Sequence, residues 1–379
     1  MVAAIKQGLE TDGMGDLTGE VRDTSGGEDG ASGPRKLKRR AIYRNIQVYL
    51  PLVLWAGEAS ARPLDYEADI LYRLDWDQVS VAGVAEQVPA DTRPAERHFV
   101  MIGFDPDPRK LIDTDQEAQA LLPQPFDAAY VTRAIVDIVP NPWVARGIVE
   151  KVLQSLRKKG FDDDRVAAVQ GLMVQALRDH LEAERDRLAE ELFMADVKTG
   201  LVQFRLRTDR NNWKMPDYLW SKQPSGSARL IREDDKEVEK SLFEPAYRDD
   251  FNSYEQRVAC FLDKDNALKW WHRNVAKAQD GYSLQGWHKH KIYPDFVLAV
   301  SKRDDKNRLM VLETKGDYLD NPETLYKKKL LEICTNAFQF EAVNAAGILE
   351  IEDIDGFSVT CSLIFERTWH SELPALLAK

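Results

Sequence analysis

Two apolar runs separated by a polar, charged turn lie late in the chain, and they leave few choices for the fold around them. The first reads Tyr293-Pro294-Asp295-Phe296-Val297-Leu298; the second reads Leu309-Met310-Val311-Leu312-Glu313-Thr314-Lys315-Gly316, with residues 301–307 between them. The pattern predicts a β-hairpin. Residues 309–312 carry no polar break, which is the mark of a strand buried within a sheet.

Period-2 alternation in the second run puts Glu313 and Lys315 on one face and Leu312 and Thr314 on the other. Asp295 opens the first run, just after a proline. If the strands pair, two carboxylates and a lysine converge near the strand ends. Such a set can hold a divalent cation and stabilise charge developing on a phosphate. The same residue types alternate on many edge strands simply as solubility devices. A buried strand that delivers its charged pair immediately before Gly316 is harder to explain that way.

The neighbouring segments supply a setting. Ser253 with Gln256 forms a capping-box pattern, and Tyr254, Val258, Phe261 and Leu262 make a helical stripe. Glu255 stands beside that stripe in the first turn, where an acid can complete a ligand set or orient a water. After Gly316, Asn321-Pro322 starts another helix. Its apolar side is Tyr326, Leu330, Ile333, Ala337 and Phe340, and Lys327, Lys328 and Lys329 lie on the other. Residues 357–365 read as a final strand. The order helix, strand, strand, helix, strand implies a small mixed sheet covered by helices.

Upstream, residues 1–38 read as a disordered tail with a basic end, because few apolar groups there offset the entropy of ordering. The basic run Arg35, Lys36, Lys38, Arg39, Arg40 is either a phosphate-contacting arm or a solvated lead-in to a strand. Residues 39–135 read as β-rich, with strands at 46–55, 68–74 and 98–104; Asp65, Glu67 and Asp69 share one side of an extended segment there. Residues 136–240 read as a helical spacer. In it Asn141-Pro142 starts one helix, Gly160 ends it, and a longer helix with Val166, Val169, Met173, Leu177, Leu181, Leu188 and Leu192 on one face runs to Gly200. Residues 241–379 hold the hairpin. The fold class is mixed, α+β or α/β.

Composition sets outer limits. A net charge of −11 excludes a chain coated in basic residues, yet a metal site must itself be acidic and a basic groove can be local. Cys260, Cys334 and Cys361 lie far apart without ligand spacing and fit reduced thiols in a cytoplasmic protein. No apolar run is long enough to cross a bilayer, and no membrane partner is expected.

Tyr293-Pro294-Asp295-Phe296 followed by Leu312-Glu313-Thr314-Lys315-Gly316 resembles the PD-(D/E)xK nuclease motif as it stands in the C-terminal endonuclease domain of type III restriction enzymes. The resemblance extends to Glu255, to Trp271-His272-Arg273-Asn274 and to Tyr326-Lys327, over residues 251–338; residues 40–75 are similar, less specifically, to the region between motor and nuclease. It implies a Mg²⁺-dependent endonuclease fold with a central mixed sheet flanked by helices. By position, Asp295 and Glu313 are implied metal ligands, the Thr314 carbonyl adds one, Lys315 is the catalytic lysine and Glu255 the accessory acid.

The chain departs from that family in lacking a Gly-x-x-x-x-Gly-Lys-Ser/Thr loop and an Asp-Glu-x-His segment. ATP binding is therefore not expected, and the chain looks like the motor-less C-terminal part of such a subunit. The implied partners are double-stranded DNA, a modification or specificity subunit and an ATP-dependent motor chain. Arg273, His288, Lys289 and Lys327 are candidate DNA contacts; His288-Lys289-His290 is a basic rim or only a loop, and Lys327 to Lys329 a phosphate contact or a solvated face. Trp270 and Trp271 either pack or stack on bases. The alternative function is a non-catalytic DNA-binding or assembly fragment.

Overall fold

A computed structural model describes residues 35–46, 48–57, 60–89, 125–207, 212–223, 226–276, 281–301, 307–316, 321–341 and 358–378. The tail before residue 35 and the strand expected at 98–104 lie outside these. β1 (Arg35–Arg39) turns Leu37 and Arg39 inward and Lys36 and Lys38 outward, so the basic run is itself a strand. β2 (Tyr49–Leu50), β3 (Leu52–Trp55) and β4 (Arg62–Pro63) follow.

The strand expected at 68–74 is instead helical: α1 (Tyr66–Asp69) continues into a 3₁₀ turn at Leu71–Arg73. Asp65 caps α1 by accepting from the Ala68 N–H at 2.8 Å, and Tyr66, Ile70 and Leu74 are buried at four-residue spacing. Asp69 is buried in a two-pronged pair with Arg62 at 2.7 and 2.8 Å. Asp65 and Asp69 thus cap and brace a helical turn and do not line one side of an extended segment.

After α2 (Val84–Gln87) and α3 (Ala128–Arg133), α4 (Pro142–Lys158) begins where expected, with Asn141 Oδ1 accepting from the Trp143 N–H at 3.0 Å. The longer helix is two: α5 (Asp163–Ala168) and α6 (Gln170–Thr199), broken at Val169 while the apolar face runs on through Val166, Val169 and Met173. Gly200 ends α6 in the left-handed region, φ 78°.

The helical stretch stops there and does not reach residue 240. β5 (Val202–Arg207), β6 (Trp213–Lys214), β7 (Tyr218–Ser221) and β8 (Phe243–Glu244) follow. They pair back over long distances, β1 between β7 and β8, and β5 beside β3, whose other neighbour is β4.

α7 (Ser253–Lys264) leads into β9 (Leu268–Arg273), β10 (Phe296–Ser301), β11 (Asn307–Lys315), α8 (Pro322–Ala337), β12 (Phe338–Glu341), β13 (Ser358–Phe365) and α9 (Trp369–Ala378). The N-cap of α7 is Asn252, one residue before Ser253, and its box partner is Glu255. α8 ends at Ala337, so Phe340 belongs to β12, parallel to β5, and not to the helix face. β10 and β11 form the expected antiparallel hairpin, β9 pairs antiparallel with β10, and β13 runs parallel to β11, giving the order β13-β11-β10-β9.

Both faces of this sheet are covered. Val297, Ala299, Leu309 and Val311 pack with Tyr326 and Leu330 of α8, in a core that also holds Leu37, Met173 and Phe204. Phe296, Leu298, Met310 and Leu312 pack with Val258 and Leu262 of α7 and Leu373 of α9. The molecule is mixed α+β, with small, mainly antiparallel sheets and helices. Among the described residues no helix is long and apolar enough to cross a membrane.

Candidate active site

The hairpin ladder ends before β11 does. Antiparallel pairing with β10 stops at Phe296 opposite Leu312, while pairing with β13 continues to Lys315 opposite Phe365. Glu313, Thr314 and Lys315 therefore project past the start of β10, beside Asp295. The Asp295 carboxylate takes over there: Oδ2 accepts from the Thr314 N–H and from its Oγ1, each at 2.7 Å. Buried Asn274 fixes the same turn. Its N–H donates to the Asp295 carbonyl and its Nδ2 to the Pro294 carbonyl, both at 2.8 Å.

Glu313 is 2 % exposed on the α8 face of the sheet. Its Oε1 accepts from Lys327 Nζ at 2.8 Å and lies 3.2 Å from Lys315 Nζ. Its Oε2 is buried without a hydrogen-bond partner among the described residues. Burial pushes the Glu313 carboxyl above its ordinary range, the charge of Asp295 pushes it further, and Lys327 and Lys315 only partly offset this. Burial pulls the Lys327 ammonium down, but Glu313 overrides it and holds that group above its usual range.

These groups fit a divalent cation. Among the described residues, the hydrogen bonds to Asp295 land on Oδ2 and both lysines approach Glu313 Oε1, which leaves Asp295 Oδ1 and Glu313 Oε2 as donors. Among the described residues no group of three or more His, Cys, Asp or Glu side chains gathers around a common point. The set is two carboxylates plus backbone, which suits Mg²⁺, an ion held by one or two carboxylates with waters and substrate phosphates supplying the rest.

Glu255 lies elsewhere. It belongs to α7, on the sheet face opposite Glu313. Its Oε1 accepts from Asn252 Nδ2 at 2.8 Å and its Oε2 from Arg273 Nε at 2.9 Å. Arg273 is thereby tied inward, with its guanidinium 5.3 Å from the Phe251 ring centroid. Glu255 thus caps a helix and neutralises Arg273, and neither joins Asp295 and Glu313. Lys327 turns to Glu313 and not outward to a rim. His288 stacks on Tyr326 with ring centroids 3.7 Å apart and has its Nδ1 3.5 Å from Glu323 Oε2, while Lys289 is exposed. Trp270 and Trp271 are both buried, and Trp271 Nε1 donates to Asp263 Oδ1 at 3.0 Å.

The roles of Asn274 and Lys327 are not legible in the sequence. Asn274 stood within the family-like run, but nothing local tells a clamp from a loop asparagine. Lys327 reads as a DNA contact in the sequence, but it pairs with Glu313 instead; its spacing from the buried Tyr326 and Leu330 puts it at the border of the apolar face. Comparisons with known protein families, curated proteins and solved structures return no match to this chain.

Proposed function

We propose that the chain is a Mg²⁺-dependent DNA endonuclease, the cutting part of a type III restriction system whose recognition subunit and ATP-driven motor are separate chains. The observation that carries this reading is the buried Glu313, within reach of the Asp295 charge, with one oxygen held by two lysines and the other without a partner among the described residues. A buried carboxylate oxygen without a partner is costly, and a cation bound there would relieve the cost.

In this reading Asp295 Oδ1, Glu313 Oε2 and the Thr314 carbonyl would hold the ion. Bound Mg²⁺ supplies neutralisation of the scissile phosphate and acidification of the attacking water. Lys315, 19 % exposed and last in β11, orients that water and offsets charge on the phosphate oxygens. Lys327 is a positioning residue: by occupying Oε1 it would leave Oε2 to ligate. Thr314 and Asn274 hold Asp295 still, so the acid has little to reorganise.

The test is nicking of supercoiled plasmid by the full chain with Mg²⁺ or Mn²⁺, beside Asp295→Ala and Lys315→Ala. Cleavage that needs the metal and falls at least about a hundredfold in both variants supports the reading. Cleavage that survives either substitution removes these residues from the site.

A further inference from the structure

A second concentration of chemistry occupies the solvent face of the β7-β1-β8 sheet. The register sets Lys36 opposite Trp220 and Lys38 opposite Tyr218. Alternation turns all four outward, with Leu37 and Ser221 facing in. Directly opposed side chains start about 5 Å apart at Cβ, so the face is a block of two cations and two rings. Trp220 is 47 % exposed and Tyr218 39 %. The rings meet edge to face at 5.8 Å, and Lys36 Nζ sits 3.8 Å from the Tyr218 centroid.

The nearby acids are already engaged. Glu244, opposite Lys38 on β8, pairs with Arg40 at 3.2 Å. Asp217 pairs with Arg39 at 3.4 Å, and Asp250 accepts from Ser221 Oγ at 3.2 Å. Among the described residues Lys36 and Lys38 have no carboxylate partner. In a chain of net charge −11, this face is locally positive and carries an exposed indole.

We infer that this face binds single-stranded nucleic acid, with a base stacked on Trp220 and flanking phosphates against Lys36 and Lys38. Tyr218 acts through Lys36, holding its ammonium by a cation–π contact. An aromatic platform beside cations is the device that tracks unpaired strands without regard to sequence. A duplex offers phosphates to the lysines but no free base face to the indole. The inference uses neither the metal nor the Asp295–Lys315 cluster, so it stands or falls apart from the nuclease reading.

The experiment is fluorescence anisotropy in EDTA at low salt, with the full chain and labelled oligothymidylate or oligouridylate of about 12 nucleotides. A duplex of the same length is run alongside. Trp220→Ala weakens single-strand binding about tenfold, while Trp220→Phe, which keeps a ring, stays closer to the unaltered chain. Lys36→Ala with Lys38→Ala lowers the slope of log K against log salt by about 1.4. The two strands distinguish DNA from RNA as the preferred ligand. Thermal midpoints of all variants separate lost binding from lost folding, and Trp220→Phe and the lysine pair decide if Trp220→Ala unfolds. Equal binding by variants and unaltered chain, no single-strand binding at all, or a duplex that loses as much to Trp220→Ala overturns the inference; the first is the result expected of a protein-docking face.

Discussion

Lys327 reaches Glu313 from the helix after the hairpin, and the pair sets the electrostatics of the whole cluster. Removing the lysine leaves a buried carboxylate with Lys315 as its remaining cation, a loss of about 2 kcal/mol for Lys327→Met. It also removes one of the charges that pull the Glu313 carboxyl down, so that group rises further. Because its folded value already lies above the ordinary 4.5, Glu313 stabilises the fold fully only below that pH. The contribution is lost as pH rises through the folded value. Lys327→Met widens that window, and its thermal midpoint falls more steeply between weakly acidic and neutral pH than that of the unaltered chain. Parallel melting curves across that range contradict the assignment. If Glu313 holds Mg²⁺ as proposed, saturating Mg²⁺ acts in the opposite sense, since ligation needs the ionised carboxylate.

At the scale of elements, caps and close approaches fix how α7 and α8 meet the sheet. Asn252→Ala removes the N-cap of α7 and one of the donors to Glu255, costing about 1 to 2 kcal/mol, read from the urea midpoint. Gly286→Ala puts a methyl 2.5 Å from Tyr326 Oη and 2.6 Å from Leu330 Cδ2, and overpacking of that kind costs about 1 to 3 kcal/mol. A Gly286→Ala midpoint equal to that of the unaltered chain would mean that α8 sits differently.

Much of this level is written locally. The hairpin, the starts of α4 and α8 and the glycine stop at Gly200 follow from alternation and capping chemistry. The misreadings have local causes too. Asn252…Glu255 and Ser253…Gln256 overlap as capping boxes, and the pair with the charged partner is the one that forms. Residues 68–74 alternate well enough for a strand, but Tyr66, Ile70 and Leu74 also fit a helical stripe, and the Asp65 cap decides between them. Glu255 has the right place in a first turn; only the sheet shows that its helix covers the wrong face for Glu313.

For the whole molecule, the pairings least visible in sequence matter most. β1 finds β7 and β8 across the chain, and β12 closes on β5. Phe193 of α6 meets Trp287 at 5.3 Å, and the Tyr282 hydroxyl donates to the Pro51 carbonyl at 2.8 Å. Such contacts leave no trace in a window of residues, because each strand is satisfied by a partner more than a hundred positions away. One core includes Leu37, Val149, Met173, Phe204, Trp270 and Cys361, so the regions that read as consecutive are built together. A fragment of residues 241–379 accordingly exposes Trp287 and one side of β12; it binds a hydrophobic dye and lacks native near-ultraviolet dichroism, whereas the full chain melts in one transition with equal calorimetric and van't Hoff enthalpies. A monomeric fragment with native-like dichroism contradicts this.

The proposal of a cutting centre rests on a cation held by Asp295 and Glu313, and Mn²⁺ reports on that directly. Electron paramagnetic resonance of Mn²⁺ titrated into the full chain with duplex DNA, less the ion bound by the same DNA alone, reads the protein-bound ion without requiring a motor or recognition partner. Saturable binding is expected that is lost in both Asp295→Asn and Glu313→Gln while both variants keep their melting transition. Saturable binding that persists in either variant, or no binding by the unaltered chain, contradicts the proposal.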